Sequence, residues 1–392
     1  MHPELRARFN ADFTPQKYEA LLRCVNETER WPADFRISET PIFMTRQFAD
    51  EVVSAANEIV DLTRSRAFAR HAATAVPKEL GMPNESAHPN FFVVDFGICH
   101  EGERLVPRLI ELQAFPSLFG FQLLMLHCLR KTFPAIPRDW TSSFAGIKDD
   151  DYIALLRRTI IADSKPERVI LLDIEPEKQK TRVDFAATER LLGIRTACVT
   201  RLEQRGRQLF FDGERIERIY NRVIFDELLR RKDVDLAFRF QDELDVTWVG
   251  HPNWYFRVSK HSLPFLKTAH TSPAFFADEF PASEKIDNYV LKPLYSFAGQ
   301  GVDMEPTRDK IDSLATPHEW ILQRKVEYAE FVATVDGRRS KAEIRMMFVW
   351  PEEDQKPTLV NNLVRMSQGK MMGVDFNRDK TWVGSSIALH DS

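Results

Sequence analysis

The chain has 392 residues, 43% of them hydrophobic, enough for two or three lobes with their own cores, since single cores stop growing near about 250–300 residues. Lys and Arg total 54 against 58 Asp and Glu, and the net charge of −4 gives no field that gathers nucleic acid. No apolar run reaches the roughly 18–20 residues that span a bilayer, the N-terminal MHPELRARFNADFTPQKYEALL has no apolar leader core, and Cys24, Cys99, Cys128 and Cys198 form no C-x-x-C pair, so they read as core filling in a reducing compartment; a cytoplasmic protein with no membrane or nucleic-acid partner is expected.

Residues 1–80 have helical texture. TPQKYEALLRCV opens on a Thr N-cap candidate, and RQFADEVVSAANEIVDLTRS repeats apolar positions at three and four. From Asn90 the pattern changes to strand: FFVVDFGI and RLVPRLIEL flank an acidic, Gly-containing turn, and the second strand ends in Glu111-Leu112-Gln113 before Ala114-Phe115-Pro116-Ser117. Side chains at i and i+2 on a strand share a face, so Glu111 and Gln113, with Asp95 on the partner strand, make an oxygen cluster suited to a hard cation such as Mg²⁺. SLFGFQLLMLHCLRKTF follows as a buried helix, then the loop WTSSFAGIKDDD and the helix YIALLRRTIIA, which closes a second unit at 81–164. Asp149 to Asp151 read as a solvated helix start favoured by the macrodipole.

Lys165-Pro166 opens a third unit, 165–245: RVILLDI is a continuous apolar strand, DFAATERLLGI a helix with a Gly stop and RTACVTRL a second strand, together one βαβ unit of a parallel sheet. QLFFDGERIERIYNRVIFDELLRR continues as a hairpin on Asp212-Gly213, then a strand and a helix.

The last unit, 246–392, carries most of the chemistry. NYVLKPLYSFAGQGV reads as a strand ending at Lys292, a small-residue loop (Ser296, Phe297, Ala298, Gly299, Gln300, Gly301) and a return strand. Glycines let backbone N–H groups approach phosphate oxygens, and a strand-end lysine adds a positive point charge. The stretch is neither a Walker A loop nor a dinucleotide G-x-G-x-x-G, and a lone strand–loop–strand of this kind is more often a plain hairpin. Its surroundings shift that balance: Lys260 stands at a helix start in VSKHSLPFLKT, EWILQRKVEYAEF is a strand running into a polar hinge, and KAEIRMMFVW and TLVNNLVRMSQG are strands bringing Arg345 and Arg365. His100 and His251, single histidines near turns, read as packing residues.

In this order the segments from about Val249 onward resemble the ATP-grasp superfamily of carboxylate–amine ligases, the Lys292 loop being the most specific part. The resemblance implies that Lys260 and Lys292 hold the phosphates of ATP and that the 296–301 loop closes over them. It implies further that Lys325 and Val326 offer backbone groups to the adenine, with Gln323, Glu327 and Glu330 as candidates for the amino group and ribose, and that Arg345 and Arg365 meet the transferred charge. Ordinary members end with an acidic residue and then Glu-x-Asn for magnesium; the final stretch here has Asp375, Asn377 and Asp379 but no such motif.

Asp95, sixteen positions before Glu111, with Gln113 two further on, matches that arrangement in type and spacing, so the metal pieces precede the phosphate pieces. This order resembles the circularly permuted ATP-grasp enzymes of the glutathionylspermidine synthase kind. The implied fold is α/β (α+β): a circularly permuted ATP-grasp with a βαβ pre-grasp-like domain and N-terminal helices. Gln113 stands where the relatives have Asn, and Val93 where they have an arginine serving the tetrahedral intermediate, a role left to Arg222, in DGERIERIYNR, or to Arg365. The implied activity is an ATP- and Mg²⁺-dependent joining of a small-molecule or peptide carboxylate to an amine. A phosphotransferase, or a nucleotide-binding protein with lost catalysis, are the alternatives.

Overall fold

FFVVDFGICHE and RLVPRLIELQ alternate around a two-residue Gly turn, and they form an antiparallel hairpin, Phe91–Glu101 with Arg104–Gln113. The computed structural model describes residues 1–296, 299–369, 372, 377 and 380–391. Arg339–Val349 and Thr358–Ser367 form a second long hairpin. The two hairpins join edge to edge, Arg345 opposite Asp95, residues 250 positions apart in the chain. Gly384–Ser386 pairs antiparallel with Thr358–Ser367 and closes that edge, so the sheet runs Gly384–Ser386, Thr358–Ser367, Arg339–Val349, Phe91–Glu101, Arg104–Gln113.

Alternation gives this sheet two unlike faces. Val94, Phe96, Ile98, Ile344, Met346 and Val364 pack on one face against Val52, Ala55 and Ile59 of the amphipathic helix Arg46–Thr63, which Thr45 caps through the Phe48 N–H. On the other face the Phe91 end is apolar, where Val93, Met347 and Val349 lie with Leu124, Met125 and Cys128 of the buried helix Phe121–Thr132. Nearer the middle of the sheet that same face turns polar.

The βαβ reading is matched: Val169–Asp173 and Arg195–Cys198 pair in parallel around the helix Arg182–Leu192, which stops at Gly193 with φ of +73°. Arg218–Asn221 and Thr247–Val249 extend this sheet in parallel on its other side. The stretch after Asp245, expected to open the last unit, thus supplies the outer strand of the parallel sheet. Asp212 and Gly213 both have positive φ between Gln208–Phe211 and Glu214–Ile216, the primed turn that such a pair favours.

A third sheet, ordered Ala274–Phe276, Trp320–Arg324, Tyr289–Pro293, is antiparallel. The return strand expected after the Lys292 loop is reduced to one bridge, Leu291 to Asp303. Cys24 and Cys128 form a disulfide, with sulfurs 2.08 Å and Cα atoms 5.6 Å apart, while Cys99 and Cys198 are free. The cysteine reading is therefore corrected for two of the four: helices Pro15–Thr28 and Phe121–Thr132 bring them together, and bonds of this kind persist in oxidising surroundings. Among the described residues no helix is long and apolar enough to cross a membrane.

Candidate active site

Residues opposite one another in an antiparallel ladder point to the same face. Across the central sheet one row is Leu363, Arg345, Asp95, Glu111 and the next is Ser385, Arg365, Glu343, Gly97. Two arginines and three carboxylates so share one patch. Arg345 grips Asp95 bidentately, Nε and a terminal nitrogen each 2.7 Å from a carboxylate oxygen. Arg365 lies 2.8 Å from Asp95 and 2.7 Å from Glu343. Burial pushes the Asp95 carboxyl up, but the Arg345 and Arg365 guanidiniums outweigh it and hold it below its ordinary range.

This patch is the floor of a cavity of about 1140 Å³. Glu111, Gln113, Glu343, Arg345 and Arg365 are in its lining, as are Lys260 and Lys292 opposite them. The Lys260 ammonium donates to the Ser296 carbonyl at 2.6 Å and lies 3.9 Å from Glu111. Lys292 donates to the Gln323 side-chain oxygen at 2.7 Å, and the Gln323 amide nitrogen donates to the Leu109 carbonyl at 3.1 Å. Gln323 thus ties the Lys292 strand to the Phe91–Gln113 hairpin. Burial lowers both lysines; it takes Lys292 to about 8 against the opposing pull of Glu111.

The expected metal ligands fare differently from one another. Glu111 accepts from the Gln113 amide nitrogen at 2.8 Å, and the Gln113 Oε1 is buried with no hydrogen-bond partner. An orphaned amide oxygen beside a carboxylate fits one edge of a Mg²⁺ shell, whose remaining positions waters and phosphates commonly fill. Asp95 does not fit: it is 1% exposed, and both its oxygens are taken by guanidiniums. Among the described residues no group of three His, Cys, Asp or Glu is arranged to hold a metal by itself.

At the hinge, Gln323, Lys325, Val326 and Glu327 line the cavity. The Lys325 N–H is already donated to the Asn288 carbonyl at 2.8 Å, and its ammonium reaches the Asp287 carbonyl at 2.6 Å, so its N–H is not available to a base edge. Glu330 is exposed and lies 3.5 Å from Lys341, away from the lining. Gly299 reaches the cavity, whereas Gln300 and Gly301 do not. Phe297, Ala298, Asp375 and Asp379 lie outside the described residues.

Arg222 is displaced from its expected role. It is buried, 2.6 Å from Asp184, and Asp184 in turn accepts from the N–H groups of Leu118, Gly120 and Phe121. The pair fastens the parallel sheet to the start of helix Phe121–Thr132 and stands behind the cavity wall, where Arg222 lies 3.3 Å from the hydroxyl of the lining residue Thr181. The sequence reading passed over Glu343 and Tyr328, although E-I-R already places Glu343 on the Arg345 face. Tyr328 donates its hydroxyl to Glu343, and its ring packs against the sheet at residue 97, where only glycine leaves room: a Cβ there would come within 2.7 Å of the ring.

No protein-family model matches the sequence, and no curated protein is similar to it at a significant level. Among solved structures, the chain is similar to a glutathione synthetase-like effector from Globodera pallida, solved in its apo form, with a TM-score of 0.55 over 97% of this chain and 98% of that one at 12% identity. The likeness is one of fold.

Proposed function

We propose that the protein is an ATP- and Mg²⁺-dependent ligase that joins a carboxylate to an amine, on a circularly permuted ATP-grasp scaffold. The observation that carries the reading is the single polar sheet face on which Glu111 and Gln113 of the early hairpin lie beside Glu343, Arg345 and Arg365 of the late one, under Lys260 and Lys292. Lys260 and Lys292 would hold the phosphates, with Val326 at the adenine edge. Glu111 and Gln113 would hold Mg²⁺, which when bound neutralises charge on the terminal phosphates.

A carboxylate is a poor electrophile, so its oxygen first attacks the γ-phosphorus, releasing ADP and forming an acyl phosphate. Arg365 and Arg345 face that centre with guanidiniums already oriented by Asp95, which lowers the reorganisation needed as charge moves. The amine then attacks the acyl carbon, expelling phosphate and losing a proton.

The capture of Asp95 by two guanidiniums favours a second reading, a nucleotide-binding protein without turnover. Incubation with ATP, Mg²⁺ and pools of amino acids, short peptides and polyamines separates the two. The ligase yields ADP, free phosphate and a new amide; a product that keeps the phosphate indicates a phosphotransferase, and ATP binding without phosphate release indicates lost catalysis. Failure of ATP to bind removes the nucleotide reading altogether.

A further inference from the structure

At the edge of the cavity floor opposite Lys260, two polar atoms are buried without a hydrogen-bond partner among the described residues: Arg36 Nε and Ser385 Oγ. Both residues line the cavity, and Ser385 is only 5% exposed. Ser385 stands opposite Arg365 in the ladder, so its hydroxyl shares the Arg365 face. The Arg36 backbone is seated beside it, because the Arg36 carbonyl accepts from the Ser385 N–H at 2.8 Å. That approach requires Gly384, with φ of +114°, where a Cβ would lie 2.4 Å from the Arg36 carbonyl oxygen. A terminal nitrogen of Arg36 pairs with Glu39, which also accepts from the Trp382 N–H at 2.7 Å. The guanidinium is thereby fixed by one end while its Nε–H is unused.

Buried polar groups without partners lower stability, and here both belong to residues that line one cavity and touch through their backbones. Four strand spacings separate the Ser385 strand from the Glu111 strand, roughly 19 Å at the usual interstrand distance. That is too far for the phosphates held at Lys260. Between the two edges lies Arg365, and around Arg36 the lining is mostly apolar, with Leu22, Phe35 and Ile37, while the one acidic neighbour, Asp34, is paired with Arg182 at 2.9 Å. A ligand filling this end needs acceptor oxygens at its tip and an apolar body.

We propose that Arg36 and Ser385 form a subsite for a distal carboxylate of an elongated co-substrate, so that the acid activated at Arg365 is an aliphatic dicarboxylate or a peptide-like equivalent. The inference rests on the ligase reading for the meaning of the site, but its test does not need turnover. Suberate, octanoate and octylamine serve as probes in calorimetric titrations of the full chain without nucleotide, with ATP titrated separately.

Suberate binds saturably, octanoate binds at least tenfold more weakly, and octylamine does not compete. Ser385→Ala weakens suberate about tenfold, the value of one hydrogen bond to a charged group, and does not lower the unfolding midpoint of the free protein, since the hydroxyl has no partner to lose. Arg36→Lys keeps a cation for Glu39 and weakens suberate in the same way. Equal affinity for suberate and octanoate, or no effect of Ser385→Ala on suberate, overturns the proposal. Absence of suberate binding with ATP binding intact sinks the subsite alone; absence of ATP binding with suberate bound sinks the ligase reading alone.

Discussion

Replacing Asp95 by Asn leaves the Arg345 guanidinium buried against a neutral amide, and breaking a buried pair from one side costs about 3 kcal/mol or more. Asp95→Asn should therefore lower the denaturation midpoint and the ATP-dependent activity together. Glu111→Gln keeps the shape, removes one candidate metal ligand and one counter-charge to the buried Lys260 and Lys292, and should lower the midpoint less than Asp95→Asn does while raising the Mg²⁺ concentration needed for half-maximal activity. Chemical denaturation beside a Mg²⁺ titration reads both; a Glu111→Gln as destabilised as Asp95→Asn, with unchanged Mg²⁺ dependence, contradicts this division of roles. Lys292 gives a pH test. With its ammonium lowered to about 8, it is charged below that pH and neutral above it, so the free protein loses a phosphate contact as pH rises. ATP affinity measured without Mg²⁺ should fall above pH 8 by up to about tenfold per unit, with proton uptake on binding. Lys292→Gln should bind weakly with a flatter profile, part of any remaining slope belonging to Lys260, which burial also lowers.

At the level of elements, helix Pro15–Thr28 does two things at once. Tyr18 and Leu22 face the cavity while Cys24 is bonded to Cys128 in the helix packed on the sheet. The bond closes a loop of 104 residues, and in the chain-entropy view a loop of about that length stabilises by roughly 4–5 kcal/mol. Cys24→Ser combined with Cys128→Ser should lower stability in denaturant by several kcal/mol, and alkylation of the unreduced, unfolded parent should label Cys99 and Cys198 but spare the other pair. Labelling of all four would remove the bond and restore the unpaired reading. The helix itself was legible in TPQKYEALLRCV, with Thr14 accepting from the Lys17 N–H at 3.2 Å as its cap, and the strands were legible from alternation. The bond was not, because four separated cysteines fix no connectivity. The clasp of Asp95 by Arg345 was hidden for a related reason: a strand pattern tells which residues share a face, not which distant strand lies alongside. Lys260, Lys292 and Glu111 were readable as charge at element ends, whereas Arg36 and Ser385 meet only because Gly384 admits a close backbone approach, and no local pattern announces that.

For the molecule as a whole, the first and last described segments converge. The His2 N–H donates to the Phe43 carbonyl at 2.9 Å, and Phe43 pairs in parallel with Leu389 near the other end. Ends that lie close permit the chain to be joined there and reopened in an exposed loop. A variant that begins at Lys165, runs through Asp391, crosses a short glycine–serine linker and continues from Met1 to Ser164 would place the Phe91–Gln113 hairpin after the Arg339–Ser367 hairpin. The contacts of the central sheet would be unchanged, and so would the Cys24–Cys128 bond, since both cysteines stay on one segment. This variant should unfold in one cooperative step and bind ATP as the parent does. Its refolding should be faster, because Asp95 and Arg345 are brought nearer along the chain and closure of the sheet then loses less loop entropy. Stopped-flow refolding of oxidised parent and variant measures this. A variant that folds with its sheet intact yet refolds more slowly would show that pairing of the two hairpins does not limit folding, and one that folds but binds no ATP would show that chain order, not the assembled face, governs the site.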